Sequence, residues 1–338
     1  MSAELTADII RDAEELSALE PEWWALWRVC PSATPFQSPA WLLPWWQSFA
    51  PGALHAVAVR RAGRLVGLAP LYLEAGPYGR RLLPIGISLS DYHDVLLAPE
   101  EGEAAGAALI RALERAPEWE SWELPELSER AQATGLPCPA GWEKETAACE
   151  TCPFLALPDD PAELRNAFPA RKRRSLSMNR NRAERRGALA FLSVEDAAPA
   201  VFLDELIRLH GLRWQSRGEP GVLDKTEAQH FQRLAVPRLA AAGLVRFHAL
   251  RIGEAIAAVY YGLLHDGHAY GYLTGLDPAF AHESPGTLVI AHAMEQAIRE
   301  GAREFHFLRG GEAYKYGWGA VDRWNRRRVF RRRPADGT

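Results

Sequence analysis

Three apolar runs crowd into residues 244–276: LVRFHALR (244–251), EAIAAVYYGLLH (254–265) and HAYGYLTGL (268–276). Only an Ile-Gly pair separates the first two, and only an Asp-Gly pair the last two. Gaps that short leave room for a tight turn and little else, and glycine supplies the backbone freedom such a turn demands. The spacing therefore predicts a three-stranded antiparallel meander. Its apolar faces need cover, and the flanking sequence offers helices at about 198–216, 224–241 and 286–300. A further strand, REFHFL (303–308), follows the last helix. The fold class is α+β, with a mixed, largely antiparallel sheet flanked by helices.

The first half repeats that order. A strand (7–10), a tryptophan-rich helix (12–29) and a short helix in FQSPAWLLPWWQSF (36–49) come first; Ser38 caps the short helix and Pro39 opens it. Strands follow at 54–60, 64–74, 80–86 and 94–98, then a helix (102–116) and a strand-like stretch (118–127). A chain of 338 residues exceeds one ordinary core, so two domains of roughly 150 residues each are expected. We place them at 1–155 and 156–338. Charge divides the same way. Residues 1–150 hold 11 Lys/Arg and 22 Asp/Glu, net −11; residues 151–338 hold 28 and 21, net +7. A basic second half suits an anionic ligand there, or docking of the two halves. RRRVFRRR (326–333) reads as a last strand with its arginines outward.

No apolar run reaches the roughly 18 residues that crossing a bilayer requires. The opening MSAELTADII lacks a basic region followed by an apolar one, so no secretory signal is read and a cytoplasmic location is expected. The cysteines Cys30, Cys138, Cys149 and Cys152 contain one C-x-x-C pair without a second pair or histidines at matching spacing, so reduced thiols are expected rather than a metal site.

Several short segments could carry chemistry. Ser284, Pro285 and Gly286 stand directly before an amphipathic helix, whose free N–H groups and positive dipole end suit a phosphate. FLRGGEAYKYGWG (307–319) joins a strand end to glycines and then to polar and aromatic residues; its Lys315 is one of four lysines in the chain. This is the profile of a strand opening into a site, or of a well-packed turn. SDYHDV (90–95) puts Asp91, Tyr92, His93 and Asp94 in a row, as a histidine between carboxylates or as a polar strand entry. In LHGLRW (209–214), His210, Arg213 and Trp214 share one helix face, lining a cleft or edging the core. RKRRSLSMNRNRAERR (171–186) carries eight basic residues and one acid, a solvated helix surface or a phosphate-contacting one.

The order of GLDPAFAHESPGTL, FHFLRG and GEAYKYGWG resembles the GNAT acyltransferase superfamily. It resembles more narrowly the branch with two fused GNAT-like domains, the BioF2-like and CelD-type acetyltransferases, related to FemAB peptidyltransferases. FQSPAWLLPWW, LVGLAPLYL and SDYHDVLL look like hallmarks of a first domain, LHGLRWQSRG and FLRGGEAYKYGWG of a second. The resemblance implies two GNAT-like domains, the second binding acetyl-CoA or another acyl-CoA as co-substrate, with no metal. It implies transfer of the acyl group to an amine or hydroxyl of a small molecule or sugar, held in the cleft between domains. The superfamily's pyrophosphate loop has the form Q/R-x-x-G-x-G/A. Aligned on Gly286, Ser284, Gly286, Thr287 and Leu288 would hold the donor; Glu283 stands where Gln or Arg is usual, and Leu288 replaces the last small residue. A carboxylate beside a phosphate is unfavourable unless it points away. Transfer without a covalent intermediate needs an acid for the leaving thiolate and a base for the acceptor. Tyr314 is the candidate acid, with Tyr316 second, and Glu312 the candidate base. Arg309 and Lys315 would hold anionic parts of the substrate; Asp91, Tyr92, His93, Arg213 and Trp214 would contact the acceptor. The alternatives are a FemAB-like transferase using aminoacyl-tRNA and a non-catalytic module binding nucleic acid through the basic half.

Overall fold

The computed structural model of the chain describes residues 4–215, 218 and 221–333. It divides into two units: residues 1–150 with 324–338, and residues 151–323.

Unit 1 begins with strand β1 (Leu5–Ile10) and helices α1 (Ala13–Ala18), α2 (Glu20–Val29) and α3 (Pro39–Phe49). Strands β2 (Ala53–Leu54), β3 (Ala56–Arg61), β4 (Arg64–Ala69), β5 (Leu71–Gly76), β6 (Gly79–Pro84) and β7 (Leu96–Leu97) follow. Helix α4 (Gly102–Arg115) leads to β8 (Ser121–Leu127) and β9 (Trp142–Thr151). The strand expected at 64–74 is broken at Pro70, which cannot donate to a ladder. Its two halves join different sheets, ordered β1-β3-β4-β7 and β2-β5-β6-β8-β16-β9, where β16 is Trp324–Arg332. The tryptophans explain the apolar weight of this half: Trp23, Trp41, Trp119 and Trp122 are fully buried. Asp94 is buried as well. Its carboxylate accepts from Ser32 Oγ and from the amides of Val95, Gln132 and Ala133 at 2.8–3.0 Å.

Unit 2 runs through β10 (Phe154–Ala156), α5 (Leu164–Ala167), α6 (Ala170–Arg186), β11 (Leu189–Ser193), α7 (Pro199–Gln215), α8 (Thr226–Ala241), β12 (Val245–Ile252), β13 (Ala255–His265), β14 (His268–Leu276), α9 (Pro285–Arg299), β15 (Glu304–His306) and the single turn α10 (Ala313–Tyr316). The expected meander is β12-β13-β14, closed by turns at Gly253 and Gly267, both at positive φ. Its sheet is ordered β10-β15-β14-β13-β12-β11. Alternation along β12 and β13 feeds two cores. Phe247 and Tyr261 stack with each other, and Phe247 also stacks with Phe202 of α7. Leu250 and Tyr260 pack in the cluster that holds Met294 of α9 and Phe305 of β15.

The last strand, β16 (Trp324–Arg332), belongs to unit 1, not to the second domain as the 156–338 boundary has it. It pairs antiparallel with β8. Its arginines are not all outward either: Arg328 is buried and donates to the carbonyls of Ala133 and Leu136. Buried Asn325 donates to Glu126 Oε2 at 2.9 Å and to the Asp91 carbonyl at 3.1 Å. These polar partners, all in unit 1, fix the strand where the sequence offered only an alternation of charge.

Candidate active site

Parallel pairing between β14 and β15 covers only His268–Tyr270 against Glu304–His306. Beyond it the two strands part. A register shift between Tyr261 and Gly262 bends the β13–β14 ladder at the same level, and β14 continues to Leu276 while the chain leaving β15 turns off through Leu308 and Gly310, both at positive φ. A crevice of about 820 Å³ opens there, built from unit 2 alone. Residues 271–274 and Leu276 of β14, beyond the stretch paired with β15, form one wall.

The start of α9 forms the second. Ser284, Pro285, Gly286 and Thr287 all line the crevice, so the positive end of a fifteen-residue helix faces it, although the Thr287 amide donates to Ser284 O at 3.0 Å and Pro285 carries no N–H. Gly286 packs closely on β14: a Cβ there would meet Leu276 Cδ2 at 2.8 Å, and that side chain would have to shift. Leu288, expected beside it, faces another way. It lies in the core and borders a separate crevice of about 570 Å³ against Phe168 and Leu176. The preceding loop is clamped from α6. Arg186 donates to Ala279 O at 2.7 Å and to Glu283 Oε2 at 2.9 Å, and sits 4.0 Å over the Phe280 ring. Arg182 reaches His282 O. Glu283 is therefore buried in an ion pair and does not line the crevice. Part of the arginine run thus serves this loop rather than solvent.

The glycine segment forms the third wall through Glu312 and Tyr314. Lys315, expected on a substrate anion, is turned inward instead. Its ammonium donates to the carbonyls of Leu308, Arg309 and Gly310 and lies 2.9 Å from Glu312 Oε2, with 2% of the side chain exposed. An ammonium has three protons, and three carbonyls take them. Lys315 is thus the internal pin of the loop. Arg309 is half-buried and does not line the crevice. Tyr314 is 52% exposed to solvent, yet the crowded crevice raises its hydroxyl to about 12, burial being the main cause and Glu312 the next. Tyr316 donates to Asp322 Oδ1 at 2.7 Å and does not line the crevice.

His210, Arg213 and Trp214, the expected helix-face trio, all line the crevice from α7. Trp214 Nε1 donates to His210 Nε2 at 2.9 Å, which occupies that lone pair, and burial lowers the imidazole below its ordinary range. Lys172 went unnoticed in the sequence. It lines the crevice with its ammonium 4.0 Å over the Trp318 ring, and burial lowers it. A single lysine in a run of arginines was the available signal. Asp91, Tyr92 and His93 lie in unit 1 and are buried there. The Tyr92 carbonyl accepts from Gln37 Nε2 at 2.7 Å, and the His93 amide donates to Glu126 O at 3.0 Å.

Residues 170–316 match the family model described as an acetyltransferase (GNAT) domain. A comparison with curated proteins finds no match. Among solved structures, FemX superposes with a TM-score of 0.68 at 12% identity, over 91% of this chain and 95% of its own. A tandem GNAT protein from the clavulanic acid biosynthesis pathway superposes with a TM-score of 0.52 at 17% identity, over 98% of this chain and 100% of its own. At such identities the likeness is one of fold: two GNAT-like α+β domains in one chain.

Proposed function

We propose that unit 2 is an acyltransferase that moves an acetyl or longer acyl group from acyl-CoA to an amine or hydroxyl of a small molecule or sugar. The observation that carries this reading is the shared crevice, with the α9 start, the part of β14 beyond its pairing with β15, and Tyr314 on its walls. The fit to a phosphate-bearing thioester is chemical. The positive end of α9, with the Gly286 backbone beside it, suits a pyrophosphate, and Lys172 adds a cation nearby. Of the two loop carboxylates, Glu283 is paired with Arg186 and Asp277 accepts from the Ala279 amide at 2.9 Å. The part of β14 beyond its pairing with β15 lines the crevice and suits an extended amide-bearing arm, as a sheet edge suits an added strand.

The acceptor's nitrogen or oxygen attacks the thioester carbonyl. A C–N or C–O bond forms, the C–S bond breaks, and the electron pair leaves on sulfur. Tyr314, protonated throughout the neutral range, gives its proton to that thiolate. Glu312 receives the acceptor's proton through water, and Arg213 and Trp214 hold the acceptor. Aminoacyl transfer from a charged tRNA is the second reading; it rests on basic α6, of which Arg182 and Arg186 bind the protein itself. Thermal unfolding separates the two. A ligand at 100 times its Kd adds about 2.7 kcal/mol, so acetyl-CoA or a longer acyl-CoA is expected to raise the midpoint by several degrees, and tRNA to leave it unchanged. A shift with charged tRNA alone reverses the assignment.

A further inference from the structure

At the closed end of the diverging strands, outside the crevice, three ligand-bearing side chains converge. His268 opens β14 and is the register partner of Glu304 on β15; His306 follows two residues later on the same face as Glu304. His268 Nδ1 lies 3.2 Å from His306 Nε2, His306 Nε2 3.0 Å from Glu304 Oε2, and His268 Nδ1 3.3 Å from the same oxygen. We propose that His268, Glu304 and His306 bind one divalent first-row transition ion, of which Zn²⁺ is the working choice, and that the ion clips β14 to β15 just before they part.

The triangle has the right size. Ligands held at 2.0–2.1 Å stand about 3.3 Å apart around a tetrahedral ion and about 2.9 Å apart around an octahedral one. The three observed edges fall in that interval. Hydrogen bonding alone serves the group poorly. Two imidazole nitrogens facing each other at 3.2 Å share one proton between them, or else crowd two protons toward one carboxylate oxygen; an ion takes all three lone pairs at once. Two imidazoles with one carboxylate suit zinc and its neighbours better than magnesium or calcium, which prefer oxygen. The carboxylate is also oriented from behind. Arg323 donates to Glu304 Oε2 at 2.8 Å and Oε1 at 3.2 Å, and is itself seated 3.7 Å over the Phe154 ring. Its positive charge makes the site weaker than an unescorted triad would be. His268 and Glu304 keep 18% and 20% side-chain exposure, which leaves water access to a fourth position. None of the three lines the crevice, so the ion holds the strands and takes no part in transfer.

The test uses the full chain, stripped with a chelator and titrated with Co²⁺ followed by visible absorption, then with Zn²⁺ as competitor. One equivalent is expected to bind, Zn²⁺ is expected to displace it, and Zn²⁺ is expected to raise the unfolding temperature. Glu304→Gln and His268→Ala should each weaken Co²⁺ binding at least tenfold and abolish the thermal shift, while His230→Ala, on the exposed face of α8, should change neither. The proposal is overturned if millimolar Co²⁺ gives no spectrum with the wild type, or if both cluster variants titrate like it. Should Glu304→Gln fail to fold for want of its pair with Arg323, His268→Ala, which leaves that pair intact, decides alone.

Discussion

Arg186 donates to the Glu283 carboxylate at 2.9 Å, and Glu283, unlike Asp277 and Glu312, does not line the crevice that the start of α9 faces. At a helix start that charge matters: a carboxylate or phosphate near the first turn gains roughly 0.3–1 kcal/mol from the dipole, and a second anion competes for it.

Arg186→Met should therefore weaken CoA binding roughly two- to fivefold, measured by isothermal titration. Adding Glu283→Gln to that variant should restore most of the loss. If the double variant binds no better than the single, the Glu283 charge is not what Arg186 controls.

Tyr314→Phe should lower kcat by about a hundredfold or more with KM little changed, because a positioned acid acts in the transition state. With its hydroxyl raised to about 12, Tyr314 stays protonated well above neutrality. The wild-type rate should show no alkaline limb from this group below about pH 10. A limb near pH 9 that disappears in the variant would sink the assignment.

Lys315→Met should cost about 2–4 kcal/mol of stability, since three buried carbonyls lose their donor and a methionine cannot replace it. Denaturant unfolding of the variant checks this. An unchanged midpoint would mean that the loop is held by other contacts.

Acid should loosen unit 1 through His55. Burial, with Arg11 second, drives this imidazole down to about 4, against about 6.5 in the unfolded chain. Between those values only the unfolded state takes up the proton, so stability falls as pH drops from about 6.5 to 4, by up to about 1.4 kcal/mol per unit. Buried Asp94, raised to about 7 chiefly by burial, works in the opposite direction over an overlapping range. The His55 contribution is thus read as the difference between wild type and His55→Gln. Two superimposable pH–stability curves would remove His55 from the account.

Much of the scaffold was legible. Two-residue glycine turns fix the meander β12-β13-β14, and the run Ser284–Thr287 marks a helix start that does line a crevice. Local signals of this kind need no knowledge of distant neighbours. What depended on such neighbours was misread. Pro70 divides one apolar run between two sheets, since a missing N–H is harmless at the corner where strands separate. Lys315 read as a ligand for substrate because nothing in FLRGGEAYKYGWG reveals that the chain curls around its own ammonium. Lys172 was lost among arginines, since helical spacing does not say which face meets Trp318. His268 and His306 carry no metal-like spacing because α9 separates them in the chain and only strand register brings them together.

The strand that returns to unit 1 also sets an order of assembly. β16 lies between β8 and β9, so until residue 332 has been synthesised the larger sheet of unit 1 has a missing rung at its interior. Unit 2, whose two ends meet where the Cys152 amide donates to the Arg323 carbonyl at 2.7 Å, is complete nine residues sooner. A nascent chain halted before Trp324 would carry unit 2 complete and the larger sheet of unit 1 without its β16 strand.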